Sequence, residues 1–278
     1  MSVFAGKSAL ITGASAGLGE EFALQLAQLG AARLVLVARR AERLTLLRAR
    51  LLAVRAGVQV ETHAVDLANT EAVIQLTRDL DQAGFSPDIL INNAGFGDLG
   101  LFETSDMAKI GQMLALNIDA LTRLTHWALP GMLRRKQGWI CNVGSTAGLI
   151  PLPTFAVYAA TKAYVNSFSE ALRVEVRGSG IEVLALCPGP VETEFGQVAS
   201  RANGKRKFSP PQFMCEPKED VVRETLDALA FGHGRFIPGL LVRLPMLLAE
   251  STPRFLLRLF FSMMSGQFRR EREAASKT

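Results

Sequence analysis

The feature that most constrains the fold is a regular alternation of short apolar runs, rich in β-branched residues, with longer amphipathic runs. The short runs predict strands over residues 8–12, 34–38, 59–63, 89–92, 138–143 and 182–187, and a short seventh strand near 235–237. The longer runs predict helices over residues 18–29, 41–54, 69–83, 106–133, 155–177 and 218–230. This alternation indicates an α/β fold, a doubly wound, mostly parallel seven-stranded sheet with helices on both faces, in three layers.

The chain is long enough for one large core and a short appendage. It has 278 residues, of which 49% are hydrophobic and 21% charged, which favours a folded domain over disorder. We expect one domain over residues 1–240 and an apolar, basic helical extension over residues 241–278.

The cysteines and the N-terminus suggest where the protein acts. Three cysteines are an odd, sparse set, which favours a reducing compartment: Cys141, Cys187 and Cys215. The first residues lack the apolar core of a signal peptide, and no run of eighteen apolar residues predicts a membrane-spanning helix. We therefore expect a cytoplasmic protein. No metal site is predicted, because the three histidines are scattered: His63, His126 and His233.

The net charge of +5 is confined to the C-terminal part of the chain. Residues 235–278 hold eight Lys or Arg and three Asp or Glu, whereas residues 1–234 hold equal numbers of both signs. A basic, apolar tail on a neutral body suggests contact with anionic surfaces or substrates. Nucleic-acid binding is not expected, because basic and aromatic residues are not interleaved as in a stacking groove.

A glycine-rich run follows the first predicted strand and leads into a helix. Glycines let the backbone turn sharply and approach a pyrophosphate, and the helix N-terminus offers free N–H groups to it. The spacing is G-x3-G-x-G, and a tight strand–helix turn is the alternative interpretation. The residues predicted to bind the cofactor here are Gly13, Ser15, Ala16, Gly17, Leu18 and Gly19.

The second predicted strand ends in Arg39 and Arg40, where NAD enzymes place an acid that binds the ribose 2′-hydroxyl. A carboxylate would repel a 2′-phosphate, whereas a guanidinium can bind it through two N–H groups. The pair therefore favours NADP(H), the alternative being two solvated residues at a helix start.

The third and fourth predicted strands also end in candidate cofactor ligands. Asp66, followed by Leu67, can accept a hydrogen bond from the adenine amino group, or cap the helix at Asn69. The run from Asn92 through Asn93, Ala94 and Gly95 is small enough to pass close to the adenine ribose, although it is unremarkable as a bare turn.

Tyr158 and Lys162 are four residues apart, so a helix places both on one face. An ammonium beside a phenol lowers the pKa of the phenol, so we expect Tyr158 to act as a general acid/base near neutrality. Ser145, just past the fifth strand, can hold the substrate oxygen. Asn117 is polar within an apolar helical run and needs a partner, for which we expect a water linked to Lys162. The alternative for the Tyr–Lys pair is an ordinary surface pair.

Together these residues resemble the short-chain dehydrogenase/reductase family, single-domain type, over roughly residues 5–240. The resemblance implies a Rossmann-like catalytic domain with a Ser145–Tyr158–Lys162 set, supported by Asn117 in a proton relay. It implies that Lys162 also binds the nicotinamide ribose and fits Arg39 as an NADP(H) selector. It further implies a nicotinamide pocket formed by Pro188, Gly189, Val191 and Thr193.

The implied activity is reversible, NADP(H)-dependent hydride transfer between nicotinamide and a carbonyl or alcohol carbon, as in a carbonyl reductase. One alternative is the same chemistry at a membrane surface, on a 3-oxoacyl thioester or a steroid. A non-catalytic NADP(H)-binding regulator is the other alternative, and the complete Ser/Tyr/Lys set argues against it. The expected partner is a small, apolar carbonyl or alcohol substrate. The family further implies a homodimer or homotetramer through helices 106–133 and 155–177.

Two segments beyond these motifs carry open alternatives. The loop between Thr193 and Lys218 is expected to cover the substrate, and it contains a basic run over residues 205–207. Its phenylalanines either roof an apolar pocket or only anchor the loop: Phe195, Phe208 and Phe213. In the tail, a helix is expected to start near Pro253, with positions 254, 258, 262 and 265 on one face. Three alternatives are open for the tail. It packs on its own domain or a dimer partner, it lies on a membrane through residues 240–270, or it forms a wall of a lipid-sized pocket.

Overall fold

A computed structural model describes residues 2–201 and 208–263, together with residues 266 and 268. Seven strands form one sheet in the order β3-β2-β1-β4-β5-β6-β7, and every neighbouring pair is parallel. The strands are β1 Ser8–Thr12, β2 Arg33–Ala38, β3 Gln59–Ala64, β4 Ile89–Asn92, β5 Gly138–Val143, β6 Ile181–Leu186 and β7 Arg235–Phe236. The predicted sheet is confirmed, with strand ends shifted by about one residue.

Helices cover both faces of the sheet, and most of them connect successive strands. They are α1 Gly17–Gln28, α2 Ala41–Val54, α3 Thr70–Gln82, α4 Met107–Leu114, α5 Leu121–Arg135, α6 Ala156–Glu175, α7 Phe195–Ala199, α8 Lys218–Ala230, α9 Leu240–Ser251 and α10 Arg254–Met263. Because successive strand residues face opposite sides, Ile11 packs with α1, α2 and α8, whereas Leu10 packs with α3, α5 and α6. The result is the three-layer, Rossmann-like arrangement.

The helix predicted over residues 106–133 is interrupted by a π-helical stretch. Ala115–Ala120 joins α4 to α5 with one extra residue per turn, a device that often marks functional sites. Asn117 lies in this stretch and is 1% exposed. The predicted helix is therefore not a uniform α-helix, and Asn117, in its π-helical stretch, faces the interior.

The C-terminal extension, which was expected to be helical, begins with α9, a helix whose bounds the sequence did not predict. Its inner residue Val242 is 4% exposed, and the space beside Gly189 is filled by the Val242 side chain, so α9 is packed on the core domain. The helix expected near Pro253 is α10. Among the described residues no helix is both long and apolar enough to cross a membrane. The basic run 205–207, the side chain of Arg254, residue 265 and the basic terminus from 269 lie outside the described part.

Candidate active site

A cavity of about 530 Å³ lies at the carboxyl ends of the strands, where ligands of open α/β sheets bind. The residues that line it include every site residue predicted from the sequence except Gly19 and Asn117. The sheet therefore brings together motifs that are up to about 180 residues apart in the chain.

The glycine-rich loop has the backbone that a phosphate site requires. Gly13 and Gly17 have φ values of +65° and +57°, a region that favours glycine. A Cβ at Gly13 would lie 2.7 Å from Asn93 Nδ2, and one at Gly19 would overlap Gly13 O. Asn93 Nδ2 holds the loop by donating to Thr12 O at 2.9 Å. Gly19 is thus a packing residue behind the loop, whereas the rest of the predicted run faces the cavity.

The two arginines after β2 have different partners. Arg40 donates from Nε to Ser15 Oγ at 3.2 Å and forms an ion pair with Glu194 at 2.8 Å. Arg43 binds the same carboxylate at 2.9 Å, and these guanidinium groups hold the pKa of Glu194 below its ordinary value. Arg39 lines the cavity and is exposed, with no hydrogen bond or ion pair to a described residue. Arg39 is therefore the free guanidinium at the edge of the cavity.

Asp66 lies just past the end of β3 and lines the cavity. Its Oδ1 accepts from Ala68 N at 3.0 Å, which stabilises the turn after β3. The cap of α3 is Asn69, whose Oδ1 accepts from Glu71 N and Ala72 N. Because Asn69 supplies the cap, the capping role considered for Asp66 was wrong, and Asp66 lines the cavity together with Leu67.

Ser145 and Tyr158 form the chemical end of the cavity. Both side chains line the cavity, and the Ser145 hydroxyl is close enough to the phenol to lower the pKa of Tyr158. Ala147 N donates to Ser145 Oγ at 3.1 Å, and Pro188 O lies 3.5 Å from the same oxygen. Ser145 is 8% exposed, so its hydroxyl is held in one place by the turn after β5 and by the Pro188 segment.

The pKa of Tyr158 differs from the expectation. Burial raises the pKa of the phenol to about 12, against the hydrogen bond to Ser145, which lowers it. The phenol packs among aromatic rings, with Phe155 and Phe195 centroids at 5.6 and 5.3 Å. Lys162 Nζ lies 5.8 Å from the ring centroid. The expected fall in this pKa is therefore wrong, because burial of the phenol outweighs the opposing effect of Ser145.

Lys162 is 5% exposed, and its Nζ donates to Val143 O at 2.7 Å. Burial lowers the pKa of this ammonium to about 8. The amine therefore lines the cavity. Because its pKa is close to neutral pH, both its ammonium and its neutral form can be populated.

Asn117 holds the strand-end loop next to this lysine. Its Nδ2 donates to Phe96 O and to Thr161 Oγ1, each at 3.0 Å, and its Oδ1 accepts from Phe96 N at 3.2 Å. The partner expected to be water is thus supplied by protein. A Cβ on Gly95 would lie 3.0 Å from Asn117 Oδ1 and 3.4 Å from Lys162 Nζ, so both groups flank the same glycine.

The substrate end is apolar and contains residues that the sequence did not point to. Phe195 and Phe208 line the cavity and pack on each other, and Phe208 also packs on Phe155, which confirms the roof, whereas Phe213 is 74% exposed and does not line it. Met246 of α9 also lines the cavity. In the sequence, Met246 stands out only as part of the apolar tail, and nothing there links it to the site.

An ion-pair cluster anchors the loop that carries Phe195. Asp98 is 6% exposed and accepts from Arg201 Nε and Lys109 Nζ. Burial alone would raise the pKa of Asp98, but these hydrogen bonds hold it below its ordinary value. Arg201 also donates to Thr104 O and Ser105 Oγ, and so fastens the loop to the segment after β4.

An oxidoreductase of the dinucleotide-dependent α/β class needs a phosphate-binding helix end and a proton donor within one cofactor's reach, and this cavity supplies both. Residues 7–204 match the family model described as short chain dehydrogenase. The chain belongs to the short-chain dehydrogenase/reductase family.

Three relatives show the range of this similarity. A very-long-chain 3-oxoacyl-CoA reductase of Laccaria bicolor is 36% identical over 237 residues, which are 84% of this chain and 66% of that protein, just under two thirds of its length. The NADP-dependent 3-hydroxy acid dehydrogenase YdfG of Salmonella typhi is 36% identical over 71% of this chain and 78% of its own. A structure of a short-chain dehydrogenase from Sphingobium yanoikuyae in complex with NADPH has a TM-score of 0.74 and 33% identity, covering 84% of this chain and 88% of that one.

Proposed function

We propose that this enzyme is an NADPH-dependent reductase of apolar carbonyl compounds, with Tyr158 as the general acid. The observation that carries the proposal is that Ser145, Tyr158 and Lys162 line the same cavity as the glycine-rich loop. The named relatives that use NADP or act on 3-oxoacyl thioesters support it.

The residues present fit an NADP(H) cofactor. Gly13 and Gly17 adopt the positive φ angles that turn the loop into the N-terminus of α1, where phosphates bind. Arg39 is free to bind the 2′-phosphate. Asp66 would accept a hydrogen bond from the adenine amino group, and Lys162 would donate to the ribose hydroxyls. The nicotinamide pocket is assigned to Pro188, Gly189, Val191 and Thr193, while Ala94 and Gly95 border the adenine ribose. When bound, the cofactor supplies or accepts the hydride.

The protein donates the proton and holds the substrate carbonyl in position for hydride transfer. With a pKa of about 12, Tyr158 is protonated at neutral pH, so its hydroxyl can donate to the carbonyl oxygen as negative charge develops there. The Ser145 hydroxyl donates a second hydrogen bond to that oxygen. Lys162, as an ammonium, stabilises the phenolate that results and returns a proton to it, and solvent then reprotonates Lys162, while Asn117 holds the loop beside this lysine. The aromatic rings around Tyr158 exclude bulk water.

The apolar lining points to the substrate class. Phe155, Phe208 and Met246 surround the chemical end, so the favoured substrates are carbonyls with a long apolar part, such as 3-oxoacyl thioesters or steroid ketones. Each buried methylene contributes about 0.8 kcal/mol, which is up to about fourfold in kcat/KM.

A substrate panel tests the proposal. NADPH oxidation is measured with 3-oxoacyl thioesters of increasing chain length, a steroid ketone and a small polar ketone. We expect kcat/KM to rise with apolar length, and the Phe208→Ala variant to flatten that rise while retaining activity on the small ketone. No turnover of any carbonyl, together with tight NADPH binding, would instead support the alternative of a non-catalytic regulator.

The family resemblance also supports assembly and location. We propose a cytoplasmic homodimer or homotetramer through α4, α5 and α6, where Met107, Leu114 and Tyr164 are exposed. Sedimentation of the full chain tests this assembly, and a monomer at micromolar concentration would contradict it.

A further inference from the structure

The C-terminal helices expose an unusually large apolar surface. Ten of the large exposed hydrophobic side chains of the described chain fall within residues 240–263. On α9 they share the face opposite Val242, and on α10 they share one face, while Leu257 and Phe261 on the other side are half-buried. The tail surface is represented by Leu241, Leu244, Leu248, Phe255, Leu259 and Met263, each at least 60% exposed. Patches of this extent mark interaction sites.

The charge on the tail surface is positive and without counter-charge. Arg243 and Arg258 are exposed, and neither forms an ion pair with a described residue. The one acid of residues 240–263 is Glu250, which is held by Arg235 at 2.7 Å. A second copy of the chain would bring another set of cations against this one, which costs free energy. Anionic lipid headgroups complement it, with apolar side chains reaching the acyl region.

The same helix that carries this surface borders the cavity. Met246 on the inner side of α9 lines the apolar end of the site, and Val242 holds α9 against Gly189. The neighbouring Leu247 and Leu248 point to the outside. One helix therefore separates the substrate end of the cavity from the tail surface.

We propose that α9 and α10 dock in the interface of an anionic lipid bilayer, and that the enzyme draws its apolar carbonyl substrate from that bilayer. The second part rests on the proposed reductase function. Docking places the substrate end of the cavity beside the acyl chains, so a long-chain substrate does not have to cross water.

Vesicle flotation of the full chain tests the docking. We expect binding to phosphatidylcholine vesicles that contain phosphatidylglycerol, and much weaker binding to phosphatidylcholine alone. The double variant Leu244→Glu/Leu248→Glu should lose at least about tenfold in vesicle affinity. Phe231→Glu is the matched control, because Phe231 is 82% exposed but lies outside the tail surface. Arg243→Gln and Arg258→Gln should each cost about fivefold on anionic vesicles only.

Activity and sedimentation separate the other outcomes. The double variant should reduce a water-soluble ketone as the wild type does, and lose rate on a vesicle-embedded long-chain ketone. No flotation of the wild type would overturn the docking. So would a double variant that floats normally but changes from dimer to monomer, since a second copy would then cover the surface. Loss of soluble-ketone turnover in every form would refute the reductase function and leave the flotation result intact.

Discussion

Replacing Arg39 by Ala should convert the enzyme from one that prefers NADPH to one that scarcely distinguishes NADPH from NADH. Arg39 lines the cavity and has no partner among the described residues, so its guanidinium is available to a 2′-phosphate. A hydrogen bond to a charged group contributes about 1.5–3 kcal/mol, and the exposure of Arg39 places it at the lower end because of screening. A loss of about 1.5–2 kcal/mol is a ten- to thirtyfold weaker NADPH affinity.

Fluorescence titration with both cofactors measures this change. NADH affinity should stay within about twofold, since NADH has no 2′-phosphate. Arg40→Ala is the matched control, and its smaller effect on NADPH is expected because Glu194 and Ser15 already hold that guanidinium. An equal loss for both cofactors in Arg39→Ala would refute the assignment.

Three further predictions concern charge and anchoring. Glu194→Gln releases Arg40 and should tighten NADPH about two- to fivefold, as exposed ion pairs contribute up to about 1 kcal/mol; weaker binding by titration would contradict this. Carbonyl reduction, followed as kcat/KM against pH, should be flat below pH 8 and fall above it as Lys162, with a pKa of about 8, loses its proton; a flat profile through pH 9.5 would contradict this. Arg201→Ala leaves buried Asp98 short of one partner and should lower stability by about 2 kcal/mol, seen in urea unfolding, whereas unchanged stability would refute the anchoring role.

The stability of the unliganded chain should also respond to Lys162. Its folded pKa of about 8 lies below its ordinary value, so between these values the unfolded chain binds a proton that the folded chain does not. Stability therefore contains a contribution that rises with pH from about 8 upward. In Lys162→Met this rise in Tm should be absent.

The sheet and most helices could be predicted because their apolar periodicity is local. Residues that follow strand ends, such as Ser145 and Asp66, could be placed at one edge because parallel strands end together, and Tyr158 could be paired with Lys162 because both lie on one helix. The bounds of α9 were missed because its N-cap, Gly239, has no capping side chain and Pro245 lies inside it. Its packing on Gly189 supplies the stabilisation that the local sequence lacks.

Other properties depend on contacts between distant residues. The π-helical turn at Asn117 is fixed by the backbone of Phe96, and no periodicity signals such a partner. The pKa of Tyr158 depends on burial by Phe195, which belongs to another loop. Glu194 is 154 residues from Arg40, so only the folded chain reveals that ion pair.

The most direct test of the central claim is the turnover of Tyr158→Phe beside that of Tyr164→Phe. These are the two tyrosines of the chain, and Tyr164 lies on the outer side of α6, 38% exposed and hydrogen-bonded to Thr122. Removing the Tyr158 hydroxyl should lower kcat/KM by at least about a hundredfold, with NADPH affinity within about twofold, while Tyr164→Phe stays near the wild type. Near-normal turnover in Tyr158→Phe, or an equal loss in both variants, would contradict the assignment of the proton donor.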